Sequence, residues 1–325
     1  THNPKVTTPP GLYYFVATEN SVLNAVSSLF GAQGVTYECE SILNMRMTLI
    51  PCAVGVYLVF AALFHLYDGE EGADVGVSHL LRAMQAALLP VGFFYYFLLY
   101  NETLSTVTVL IVHYLASRRR TLFAAIFSWL ALCVRQTNLV WVVFAVSSSI
   151  LSMPTTQEYL GKSKLQAGLL SPFLQVFYFV YFCFCRNIVP LIATWWPFLG
   201  VLYGAGTFFI ENGGRIALGD HSAHEVAFHG PQFLYFLVFA CGMLPVRSLV
   251  ALVKTLGNRK RVPWLFVVAG AAAALAAVHF STIEHLYLLS DNRHYTFYVW
   301  KNLFRAYPEF KYAAVPVYTI AGLLI

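Results

Sequence analysis

Apolar residues fall in long blocks along this chain, broken by short polar punctuation. Blocks at 42–66, 80–100, 103–117, 121–134, 138–152, 188–210, 231–253, 263–282 and 310–325 each read as a helix crossing a bilayer. That makes about nine spans, several shorter than the roughly 20 residues a hydrocarbon core asks for. The two blocks beside Arg135 also admit one long kinked helix. Residues 11–31 differ. They follow Pro9-Pro10-Gly11 and mix apolar positions with Glu19, Asn20, Ser21 and Asn24, which predicts a helix lying on the membrane surface. Residues 171–185 read as a second interfacial helix, with a true span as the alternative. The expected architecture is all-α and polytopic, one transmembrane domain over 1–325. Within it, 1–41 forms a loop with an interfacial helix and 42–325 forms the spans.

Composition agrees with this pattern. The chain is 58% hydrophobic and 11% charged, with 27 Phe and 20 Tyr, where soluble domains carry about 25% charged residues. Nucleic acid is not an expected partner, because there is no basic domain or recognition motif; membrane lipid is. Cys52, Cys133, Cys183, Cys185 and Cys241 lie in apolar runs and read as small buried hydrophobes, while Cys39 stands near a polar turn. Their spacing gives no zinc framework.

Charge then orients the chain. Arg118-Arg119-Arg120, Lys162 with Lys164, and Lys254 with Arg259-Lys260-Arg261 are basic clusters in short loops, which mark the cytoplasmic side. All three share that side when 171–185 lies on the surface. The loop at 68–79 joins them. The other polar segments then face the opposite, lumenal side: Lys5 to Gly11, Arg46, Asn101-Glu102-Thr103, Arg135 to Asn138, Glu211 to His229, and Glu284 to Trp300. Six separated segments on one face describe a site at the mouth of a helical bundle.

The richest segment is Asp291-Asn292-Arg293-His294-Tyr295-Thr296-Phe297-Tyr298-Val299-Trp300. Charged groups beside a bilayer are costly unless they face a cavity, a partner or water. Arg293 and His294 suit a phosphate, which guanidinium binds through a planar fork. The surrounding rings suit a sugar face or a polyisoprenoid tail; an interfacial aromatic belt is the plainer reading. Gly219-Asp220-His221-Ser222-Ala223-His224-Glu225, with His229 beyond, is the densest polar cluster. It lacks the helical His-Glu-x-x-His zinc pattern, so recognition of a polyhydroxylated ligand is favoured over a metal, beside an ordinary solvated loop. Arg135 between two apolar runs needs an anion or a structural partner such as Glu102. Asn101-Glu102-Thr103 is formally a glycosylation sequon, but it sits too near the membrane for easy modification. Its Glu102 is a candidate general base or an organiser of Arg135, and the second role is favoured.

These residues resemble a known family, the dolichyl-phosphate-glucose-dependent α-1,2-glucosyltransferases that add the terminal glucose in lipid-linked oligosaccharide assembly. The matching blocks are Lys5-Val6-Thr7-Thr8-Pro9-Pro10-Gly11-Leu12-Tyr13, Arg135-Gln136-Thr137-Asn138, Asn212-Gly213-Gly214 running to Gly219-Asp220-His221-Ser222, His224 with His229, and Asp291 to Trp300. Arg46 and the Tyr100–Thr103 segment match more loosely. The resemblance implies a glycosyltransferase C bundle in the endoplasmic reticulum membrane with a lumenal site. Its donor is dolichyl phosphate glucose and its acceptor a glucosylated, mannose-rich glycan on dolichyl pyrophosphate. It implies inversion at the sugar carbon and calls for no cofactor and no metal. On this reading Arg293, His294 and Arg135, then Arg46 and Lys5, take the donor phosphate. Asp220, His221, His224, Asp291, Asn292 and Tyr295 take sugar or acceptor hydroxyls. Relatives begin with a further span and an acidic lumenal loop, so the catalytic carboxylate is expected upstream of Thr1, with Glu102 the best acid in this chain. The alternatives are a polyprenyl-phosphate-sugar transferase with another sugar, and a non-catalytic membrane-protein regulator of the same family. A transporter is disfavoured, since no internal repeat is visible.

Overall fold

A computed structural model describes residues 8–30, 41–68, 76–162, 171–219, 227–257, 264–284, 286–289 and 295–324. Among these, all regular structure is helical, as the sequence predicts. The chain divides into two compact units, Thr1–Asp220 and His221–Ile325.

Unit 1 holds α1 (Gly11–Leu29), α2 (Ile42–Met47), α3 (Ile50–Tyr67), α4 (Val77–Ala87), α5 (Pro90–Tyr95), α6 (Asn101–Ser117), α7 (Thr121–Val134), α8 (Asn138–Leu151), α9 (Pro154–Lys162), α10 (Ser171–Tyr181) and α11 (Ile188–Glu211). Its centre is α6. α7 packs against it after a tight turn in which Arg119 takes a positive φ of 56°. α8 then runs parallel to α6, because Ser105 meets Asn138 at one end and Ser149 meets Ala116 at the other. α6, α7 and α8 are therefore an up-down-up trio. The alternative of one kinked helix through Arg135 is excluded: the chain reverses there. α3 also runs parallel to α6, with Tyr67 hydroxyl 2.5 Å from His113 Nε2 at their C-terminal ends. α4 returns beside α3, tied by the Arg82 guanidinium to Asp68, which also lies 3.1 Å from His79 Nε2.

One core joins Leu12 and Val16 of α1, Val56 of α3, Leu104 and Val107 of α6 and Val134 of α7. A second joins Val112, Ala124, Val142 and Ala145 to Leu191, Trp195 and Val201 of α11. α1 faces inward with Leu12, Val16 and Asn20, three buried positions spaced four residues apart along one face of the helix.

Unit 2 holds α12 (Pro231–Met243), α13 (Pro245–Gly257), α14 (Trp264–Ser281), α15 (Tyr295–Val299), α16 (Phe310–Ala313) and α17 (Val315–Leu324). α12, α14 and α17 enclose a core of Ala274, Val278, Val315 and Tyr318.

Among the described residues, Leu43–Tyr67 and Ile188–Glu211 are long and apolar enough to cross a membrane. α12 and α13 together also qualify, but they meet at 102°. Pro245 explains that bend inside the block read as one span over 231–253, because proline supplies no N–H and its ring blocks a continuing helix. Pro90 likewise divides the 80–100 block into α4 and α5. The cysteines need a partial correction. Cys52 is buried, but Cys133 and Cys185 are exposed, since a helix apolar all round need not turn every cysteine inward.

Candidate active site

The N-terminal turn of α6 and the turn joining α7 to α8 lie at one end of unit 1. Tyr100 is extended before α6 begins, and Glu102 sits in the first helical turn, where a carboxylate complements the unpaired N–H groups of the helix. α7 ends as Arg135 swings into extended backbone, with φ −156° and ψ 119°. That swing brings Arg135 Nη1 within 2.9 Å of Glu102 Oε1. Behind the ion pair, the Asn138 amide donates to the Ala131 carbonyl at 2.9 Å, and its oxygen accepts from the Ser105 hydroxyl at 2.8 Å. Asn138 is 2% exposed. The Glu102 Oε2 atom is buried and has no partner among the described residues.

Two of the sequence blocks meet at this end. Gly11 opens α1 directly against the backbone of Cys133 and Val134: a Cβ placed on it would fall 2.3 Å from the Cys133 carbonyl oxygen. Only glycine allows that approach. The proline-proline-glycine segment is thus seated one residue before Arg135.

Arg46 lies in the last turn of α2 and is exposed. It makes no ion pair or hydrogen bond among the described residues. α5 stands on the start of α6, with the Thr103 hydroxyl donating to the Tyr95 carbonyl at 3.0 Å.

The Asn212-Gly213-Gly214 block also gains a role. Gly213 and Gly214 have φ of +68° and +74°, a left-handed conformation that turns the chain out of α11. The Asn212 amide braces this exit by donating to the carbonyls of Arg215 and Ala217.

In unit 2, the Trp300 indole N–H donates to Glu284 at 2.7 Å, and the ring stacks on Phe304 with centroids 5.0 Å apart. This bond ties the chain beyond α14 to the end of α15. Sequence reasoning did not single out Glu284, although it is the one acidic residue between Glu225 and Asp291. Nearby, the His229 ring meets Tyr235 edge-on at 5.9 Å, and the amide N–H of Gly230 donates to Ser281.

Of the residues the sequence nominated, the structure brings Glu102 and Arg135 into contact and places Arg46 on α2. Tyr295 is the first residue of α15. Lys5, Asp220, His221, His224, Asp291, Asn292, Arg293 and His294 lie outside the described residues.

Residues 1–325 match the DIE2/ALG10 family throughout. The chain belongs to that family. A human relative named Dol-P-Glc:Glc(2)Man(9)GlcNAc(2)-PP-Dol alpha-1,2-glucosyltransferase is 30% identical over 337 residues, covering 98% of this chain and 68% of its own length. A mouse protein of the same name is 29% identical, with coverages of 99% and 69%. An Arabidopsis thaliana protein, again so named, is 29% identical, with 99% and 72%. No solved structure matches this chain. For a member of the DIE2/ALG10 family, the resemblance drawn from the motif blocks holds, and so does the expectation of an all-α membrane fold.

Proposed function

We propose that this protein is an inverting glucosyltransferase of the endoplasmic reticulum membrane with a lumenal site. It moves glucose from dolichyl phosphate glucose to the glucosylated, mannose-rich oligosaccharide on dolichyl pyrophosphate, forming the terminal α-1,2 linkage. The observation that carries this reading is the match to one family over residues 1–325, within which the relatives described above share one name.

The chemistry is a single displacement. The acceptor 2-hydroxyl oxygen bonds to the anomeric carbon as the bond from that carbon to the phosphate oxygen breaks. The electron pair leaves with dolichyl phosphate, and the hydroxyl proton passes to a base. β-Linked glucose becomes α-linked. Charge grows on the departing phosphate, so fixed cationic groups accelerate the step. In unit 1 we assign Arg135 to that phosphate, with Arg46 and Lys5 as secondary contacts. In unit 2 we assign Arg293 and His294. Asp220, His221, His224, Asp291, Asn292 and Tyr295 are assigned to sugar hydroxyls. Glu102 serves as the organiser of Arg135; the 2.9 Å contact supports that role over the role of base.

Transfer by the full-length protein from dolichyl phosphate glucose to a synthetic lipid-linked acceptor tests the reading. The expected product carries an α-1,2 glucose by NMR. Transfer of mannose but not glucose would favour the related transferase, and no transfer from any polyprenyl donor would favour a regulatory protein.

A further inference from the structure

Unit 1 carries a groove that these assignments touch only at Arg46. Arg46, Leu88, Pro90, Phe93, Phe94, Phe97 and Leu98 line an open groove of about 560 Å³, within the usual range for ligand sites. Its wall is built, not incidental. Pro90 starts α5, and the Tyr96 hydroxyl donates to the Ala87 carbonyl at 2.8 Å from a buried position. Phe93 stands edge-on to Tyr96 and, at 5.1 Å, to Phe97. Phe93, Phe94 and Phe97 remain 43%, 44% and 51% exposed.

Arg46 is the one charged side chain of that lining. Two other cations of unit 1 are matched by carboxylates: Arg135 holds Glu102 and Arg82 holds Asp68. Arg46 has no such partner among the described residues. One guanidinium above a strip of rings and leucines is complementary to one anionic group followed by a hydrocarbon chain. A water-soluble sugar phosphate would leave the strip uncovered. The groove also stands at the end of unit 1 that bears Glu102 and Arg135, because α5 rests on the first turn of α6.

The geometry points to a seat for a polyprenyl phosphate, with the phosphate on Arg46 and the first isoprene units along Phe93, Phe94 and Phe97. This rests on the donor reading above and deepens it. It moves recognition of the lipid from the aromatic residues at 295–300 to α2 and α5.

The test uses full-length protein in nanodiscs of neutral phospholipid. Glucose transfer is measured with a long dolichyl donor and with a two-isoprene donor. Phe94→Ser and Phe97→Ser should raise KM for the long donor by about tenfold, much more than for the short donor, with KM for the acceptor unmoved. Arg46→Ala should raise KM for both donors, and Arg46→Lys should recover part of the loss. A photoreactive dolichyl phosphate should label residues 93–98, and unlabelled dolichyl phosphate should compete where dolichol and phosphatidic acid do not. Equal effects of the serine variants on both donors, or equal competition by phosphatidic acid, would make the groove an ordinary bilayer contact. Absence of glucose transfer by wild type would instead overturn the donor reading, while the labelling still decides the groove.

Discussion

Arg135 and Glu102 are 33 residues apart in sequence, yet their ion pair closes one end of the α6–α7–α8 trio. The two side chains are 41% and 26% exposed. Such a pair contributes little to stability, typically about 0.2–1 kcal/mol, so its value lies in aiming a guanidinium.

The consequence for activity is asymmetric. Arg135→Ala should lower kcat/KM for the donor by about a hundredfold, since a hydrogen bond to a charged group contributes about 1.5–3 kcal/mol. Glu102→Gln keeps the shape and an acceptor, so substantial transfer should persist. Complete loss of transfer in Glu102→Gln, with donor binding intact, would make Glu102 the base.

Arg293→Ala should abolish or severely lower transfer while the protein still folds, and Arg293→Lys should rescue only partly, because an ammonium cannot reproduce the fork. Single-turnover rates with saturating donor are the measurement. Near wild-type turnover by the alanine variant would mark Arg293 as an interfacial anchor.

Gly11→Ala forces a methyl into the Cys133 carbonyl, which is backbone and cannot rotate away. We expect a loss of about 1–3 kcal/mol and a lower Tm in detergent. Gly206→Ala meets nothing within 4 Å and serves as the control. An unchanged Tm for Gly11→Ala would place α1 elsewhere.

Burial raises the Glu19 carboxyl above its ordinary 4.5, opposed by a hydrogen bond to Thr48. Its Oε2 atom is buried without a partner among the described residues. An acid with a raised folded value favours the folded state below 4.5, and that contribution is lost as pH climbs through the raised value. Glu19→Gln should therefore gain stability relative to wild type as pH rises from 4.5 through the raised value. Thermal unfolding across that interval is the check; a difference independent of pH would remove Glu19 from the titration.

Cysteines introduced at Ser222 and Ser290 should react with a membrane-impermeant reagent from the lumen, and one at Asn258 from the cytosol. The basic clusters at 118–120 and 259–261 motivate this assignment. Labelling of Ser222 and Asn258 from the same side would break the topology.

The helical class was legible because apolar blocks this long leave few alternatives, and α6, α7 and α8 follow their blocks closely. The Arg135–Glu102 contact was legible too, since an arginine between apolar runs demands an anion. Other features were hidden for physical reasons. Pro90 and Pro245 break blocks whose hydropathy runs on unchanged, so a reading by hydropathy joined what proline separates. Gly11 carries no polarity signal; its role is a distance to another helix. The groove beneath Arg46 depends on rings that hydropathy counts only as more apolar residues. Glu284 was findable by its isolation as an acid, but its partner Trp300 required coordinates.

Asn138 has a consequence beyond packing. Its amide spends both of its polar ends on α7 and α6, so neither helix can slide or roll past α8 without stranding a buried group. Arg135 starts three residues before it, on the turn that this amide pins. On the proposed assignment of Arg135 to the donor phosphate, the guanidinium is aimed before any lipid arrives, and growing negative charge would meet a cation already in position, with little reorganisation left to do during the reaction.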